Sequence, residues 1–281
     1  MDKLFWLQIQ ENDYAFPEGH SLNTLTAELL GYLESPNPEL RIGFAYLILG
    51  QWIAEKNLYT DAELAAMQNI LLANLQKGLG ESGTDSIFLR SFSIWILTFI
   101  FQRDIKFSFI SESKFNALVD RIAAYMQAEQ DFRGWVHDKG WAHAAAHLAS
   151  MLDVIAQHPH ANTATHERIL TLIGEHMTRQ IDHVYQHGED DRMAQAVSTI
   201  LVKNQVDMAF LRAWLSKLES VMELASAGMP FDIKIFNAYM NVRNLARSVY
   251  FPIELCVPEK PTVWEEFRPA LLDAIKEIGL C

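Results

Sequence analysis

Nine of the ten histidines in this 281-residue chain fall between His137 and His187. Histidine both titrates near neutrality and ligates metals, so this window is where side-chain chemistry is concentrated. Its densest part reads Arg133-Gly134-Trp135-Val136-His137-Asp138-Lys139-Gly140-Trp141-Ala142-His143-Ala144-Ala145-Ala146-His147. If Gly140 frees a turn and Trp141 begins a helix, 100° per residue gathers Trp141, Ala145, Leu148, Leu152 and Ile155 into an apolar stripe. Ala142, Ala146 and Ala149 then form a small-residue side, and His143, His147, Ser150 and Val154 lie away from the tryptophan stripe. Two imidazoles one helical turn apart are half of a divalent-metal site. A third ligand would come from His137, from Asp131 or Asp138, or from the acidic run at 189 to 191. Without a metal, His143 and His147 with Arg133, Trp135, Trp141 and Ser150 make a pocket for an anionic or polar small ligand. The structural alternative packs both histidines between closely spaced helices, hydrogen-bonded to Ser150 and backbone groups.

Other constellations carry less chemistry. His183 and His187 repeat the four-residue spacing on an expected long helix, but a histidine before Gly188 is favoured by the helix dipole alone. Gly78-Leu79-Gly80-Glu81-Ser82-Gly83 matches the dinucleotide-binding fingerprint letter for letter, yet that fingerprint follows a strand, and here a helix ends at Lys77 with Gly78 as its cap. Neither a nucleophile elbow, nor a phosphate-binding lysine loop, nor an H-E-x-x-H zinc helix is present. Glu189, Asp190 and Asp191 suit the positive end of a helix dipole. Asn237, Asn241, Asn244 and Arg247 form a polar stripe expected to face water, the alternative being a ligand-lining face.

Composition narrows the classes of partner. With 23 basic against 35 acidic residues the formal charge is −12, which repels nucleic-acid backbones and anionic lipid alike. Half of the chain is apolar, ample for a continuous core. The apolar stretches Ile42 to Ala54 and Ile94 to Phe101 are bracketed by charge or amide and fall short of the roughly 20 residues a bilayer requires, so both read as buried helices. No secretory signal is expected at the N-terminus, and two cysteines, Cys256 and Cys281, are too few for a disulfide framework, which points to the cytoplasm.

The elements that must position the histidines are helices. Asn37-Pro38, the capping box Thr60-Asp61-Ala62-Glu63 and the box Thr262-Val263-Trp264-Glu265 mark starts. Apolar residues at intervals of three and four fill the spans between such starts, as in Leu64, Met67, Ile70, Leu71 and Leu75. The pattern predicts helices at 21 to 33, 38 to 55, 61 to 77, 85 to 101, 112 to 128, 140 to 157, 165 to 187, 190 to 203, 205 to 226, 231 to 249 and 263 to 278. The expected fold class is all-α, a single domain over 1–281 built as an α/α superhelix of stacked antiparallel helix pairs, with an α/α toroid as the alternative.

Asp131-Phe132-Arg133-Gly134-Trp135 followed by Gly140-Trp141-Ala142-His143-Ala144-Ala145-Ala146-His147 resembles the signature of a bacterial family known only as a domain of unknown function. The run Glu189 to Arg192 resembles a second element of that family. In the family pattern a small residue, Ala and Asp follow the histidine pair, whereas this chain has Leu148-Ala149-Ser150, a hydroxyl in place of a carboxylate. The resemblance implies an all-helical, HEAT-like body and supplies no activity. The leading expectation is therefore a helical-repeat protein whose His143/His147 pocket binds a small molecule or a protein. A metal-dependent enzyme using His143 and His147, and a pure interaction scaffold, are the alternatives.

Overall fold

Thr60 and Glu63 close the expected capping box: the Glu63 amide donates to Thr60 Oγ1 at 3.3 Å, and the Thr60 amide donates to Glu63 Oε2 at 2.8 Å. They start helix α4 (Asp61–Asn74), and the same logic of caps and three-four spacing accounts for most of the chain. The computed structural model describes residues 1–226 and 231–277; residue 278, the end of the last expected helix, and Cys281 lie outside the described residues. The fold is all-α. It comprises two compact units, Met1–Met151 and a second that begins at Leu152.

The first unit begins with α1 (Lys3–Glu11), which the periodicity did not announce, and α2 (Leu22–Tyr32). The helix expected at 38 to 55 is present, but only its centre, α3 (Leu47–Gly50), is α-helical. Wide π-helical turns, Glu39–Tyr46 and Gln51–Glu55, flank it. α4 is followed by α5 (Ser86–Phe107) and α6 (Glu112–Ala128). α5 is apolar on every side, as befits the central helix of a unit, and it nonetheless buries Arg90, Ser91, Ser93, Arg103 and Asp104. Each such group needs a partner in the interior.

Between α6 and α7 (Ala144–Gln157) lies an antiparallel hairpin, β1 (Trp135–Val136) and β2 (Gly140–Trp141), with Trp135 opposite Trp141 and Val136 opposite Gly140. This corrects the helix expected from residue 140. Gly140 has φ +74°, a left-handed value, and a Cβ there would come within 3.0 Å of Pro38. His143 is also left-handed, φ 51°. A regular helix therefore cannot start before Ala144, and Trp141 belongs to a strand rather than to the apolar stripe of α7.

The second unit contains α8 (Thr163–Met177), α9 (Glu189–Lys203), α10 (Met208–Ser226), α11 (Ile233–Cys256) and α12 (Thr262–Glu277). α11 packs on the other four, with Val242, Leu245 and Ile253 buried alongside Trp264 and Phe267 of α12. α8 stops ten residues before the expected end at 187, so His183 and His187 sit in the connection to α9, not on a helix. The asparagines of α11 hold that connection. Asn237 donates to the Ile181 carbonyl at 3.0 Å, and Asn241 accepts from the Tyr185 amide at 2.8 Å. Both are buried, which corrects the expectation that this stripe faces water.

Candidate functional site

The hairpin presents its tryptophans because a buried arginine holds it from below. Arg41, from the first π-helical turns, has its guanidinium 3.8 Å over the ring of Phe88. It donates to the carbonyls of Ser35, Lys139 (2.6 Å) and Trp141 (3.1 Å). Burial, partly opposed by the charge of Asp85, pushes its pKa down to about 10, so it stays cationic at neutral pH. At the loop, Lys139 pairs with Asp85 at 2.7 Å. Val136 and Ala142 close the underside against Ile87 and Phe88 of α5.

From this platform a run of ring contacts passes through the first unit. Trp135 meets Trp141 edge to face, with centroids 4.8 Å apart. Trp141 stacks on His143 at 4.1 Å and 6°. His143 lies 5.8 Å from His147, whose ring is 3.8 Å from Trp95 of α5. Trp95 stacks on Tyr46 at 3.9 Å, and Tyr46 on Phe99 at 5.5 Å. Trp135 is 53% exposed, Trp141, Trp95, Tyr46 and Phe99 are half-buried, and the two histidines are buried.

Hydrogen bonding places a proton on one nitrogen of His147. Its Nδ1 lies 2.7 Å from Ser91 Oγ and 3.2 Å from the Ser91 carbonyl. A carbonyl only accepts, and the Ser91 hydroxyl already donates to the Ala142 carbonyl, so Nδ1 carries the proton and donates. His143 instead occupies the turn before α7: its carbonyl accepts the His147 amide at 2.9 Å, the first bond of the helix.

The remaining expected site residues have structural duties. Arg133 binds the carboxylate of buried Asp131 through Nε and Nη2, and Nη2 also donates to the Thr84 carbonyl at 2.6 Å. Asp131 in turn accepts the Gly83 amide at 2.9 Å, which ties the glycine loop to the segment before the hairpin. Ser150 donates back to the Ala146 carbonyl at 3.1 Å and does not orient either histidine. His137 and Asp138 pair at 2.8 Å in solvent. Among the described residues no group of three or more His, Cys, Asp or Glu side chains is placed to hold a metal ion. Sequence reasoning missed Ser91, Trp95, Tyr46 and Arg41. Their signal was the presence of polar residues in an otherwise apolar helix, and of a lone arginine in the apolar segment after Pro38.

A second group of histidines is buried in the second unit. His176 Nε2 and the Tyr185 hydroxyl are 2.7 Å apart, their rings stacked at 5.5 Å. Burial, reinforced by Arg179 and His183, pushes His176 down to about 3, and burial pushes Tyr185 up. Glu189, also buried, accepts the His187 amide at 2.7 Å, and Asp191 accepts from Ser248 at 2.7 Å. Burial and then Asp191 raise the pKa of Asp190. Two of the three acids of the helix start thus have partners that close the preceding loop and tie α9 to α11.

A family model described as "Protein of unknown function (DUF2785)" matches residues 75–251, more than half of the chain. No curated protein and no solved structure matches.

Proposed function

The chain belongs to the DUF2785 family of unknown function, and from that premise we propose that it is a binding protein whose site is the tryptophan corner on the hairpin. The observation that carries this reading is Trp135. It is half exposed, contributes little to the core, and is nevertheless held edge to face against Trp141 on a platform anchored by Arg41. A large ring held rigidly in water offers a stacking face at little entropic cost. The occupant is an uncharged small molecule with a flat or ring-shaped apolar face, a sugar or a heterocycle, since the net charge of −12 works against anions. His143 and His147 back the stack, with the Ser91 bond setting the ring of His147.

The test is tryptophan fluorescence titration with glucose, cellobiose, adenosine and guanosine, each on the wild type and on Trp135→Ala. At least one ligand is expected to bind, with affinity lost by at least about tenfold in the variant, the size of a stacking contact. The thermal midpoint of Trp135→Ala should match the wild type. If no probe binds, or if the variant binds equally well, the reading fails. Metal analysis of wild type, His143→Ala and His147→Ala runs alongside. Stoichiometric divalent metal that both substitutions remove would replace the binding reading with a metal-centred one.

A further inference from the structure

In the first unit a cavity of about 250 Å³ opens among α4, α6 and the connection between α5 and α6. Leu72, Phe109, Ile110 and Leu118 give it an apolar surface. Among the described residues, the charged side chains lining it are Lys114 and Arg121, with no carboxylate. In a chain with twelve more acidic than basic residues, such a place runs against the overall charge. Lys114 and Arg121 form no ion pair among the described residues, and Arg121 makes a long bond of 3.4 Å to the Leu72 carbonyl.

Gln68 of α4, 9% exposed, also lines the cavity. The wall opposite is fixed before any ligand arrives. Ser108 takes a left-handed turn with φ 47°, and the buried carboxylate of Asp104 accepts the amides of Phe109 and Ile110 at 2.5 and 2.7 Å.

We propose that this cavity is a binding site for a small amphipathic carboxylate. The carboxylate is met by Lys114 and Arg121, and the hydrocarbon body lies on Leu72, Leu118, Phe109 and Ile110. This site shares no residue with the tryptophan corner, so the two proposals stand or fall separately.

Isothermal titration with octanoate tests it, with octan-1-ol as the neutral counterpart. Octanoate is expected to bind one to one, and octan-1-ol at least about tenfold more weakly, since the alcohol lacks the charge. The double substitution Lys114→Gln and Arg121→Gln should weaken octanoate by at least about tenfold. Both cations are exposed, so the double variant is expected to fold, and the octan-1-ol comparison needs no variant at all. Absence of octanoate binding, equal binding of the alcohol, or an unchanged affinity in the double variant would each overturn the proposal.

Discussion

His176 shows how burial turns one side chain into a pH dependence. Its pKa falls from the ordinary 6.5 to about 3 because burial, and then the nearby Arg179 and His183, oppose the charged form. Between those two values the unfolded chain binds a proton that the folded chain refuses, so the stability this residue supplies is complete above about pH 6.5 and drains away as the pH falls toward 3. His166 is lowered in the same direction, again chiefly by burial, and adds to the trend. The thermal midpoint is therefore expected to drop between about pH 7.5 and about pH 5, and to drop less in His176→Gln, which keeps a partner for Tyr185 but cannot gain a proton. An equal drop in both proteins would remove His176 from the account. At this scale the sequence was informative about type and not about state. Spacing singled out His143 and His147, but nothing in the spacing revealed that Ser91, 56 residues away, would be the partner of His147 Nδ1.

Arg90 of α5 is the clearest case of one residue organising elements. It meets the Glu129 carboxylate at 2.6 and 3.0 Å, both side chains are fully buried, and its Nη1 donates to the carbonyls of Lys77 and Gly78. Glu129 accepts in addition from Tyr125 and from the amides of Gln130 and Asp131. Burial alone would depress the arginine, and the carboxylate more than restores it. Glu129→Ala strands this charge in the interior and is expected to cost about 3–5 kcal/mol in urea unfolding, while Arg90→Met with Glu129→Leu costs less than the single change. Equal losses would mean that the pair itself, rather than the orphaned charge, supplies the stability. Helices were legible wherever caps and three-four spacing agree, as in α4 and in α6, whose expected span of 112 to 128 is the one observed. Two boundaries were not. The hairpin looked like a helix start because Gly140 is compatible with either, and only the left-handed Gly140 and His143 decide it. The end of α8 at Met177 depends on Asn237 and Asn241 of α11 taking up backbone groups of the following loop, a tertiary choice that overrides local periodicity.

At the scale of the whole molecule, an all-α body could be read from the pattern of starts and repeats, whereas the candidate site was visible only in part. The residues quoted from the histidine window supply Trp135, Trp141, His143 and His147, and the other rings come from segments remote in sequence. Arg41 reaches the carbonyls of Lys139 and Trp141 across 98 and 100 positions. Contacts of that span carry a large loop-closure entropy, because the intervening chain must be collected to make them. The residues matched by the family model begin at 75, after Arg41 and Tyr46. A fragment trimmed to 75–251 therefore discards the tether beneath the tryptophan corner as well as one of its rings. Its hairpin amides are expected to exchange with deuterium at least about tenfold faster than in the full chain. Arg41→Met in the full chain should move them the same way. The family match begins after Arg41, so whoever crops this protein at that border removes the hand that holds the hairpin in place.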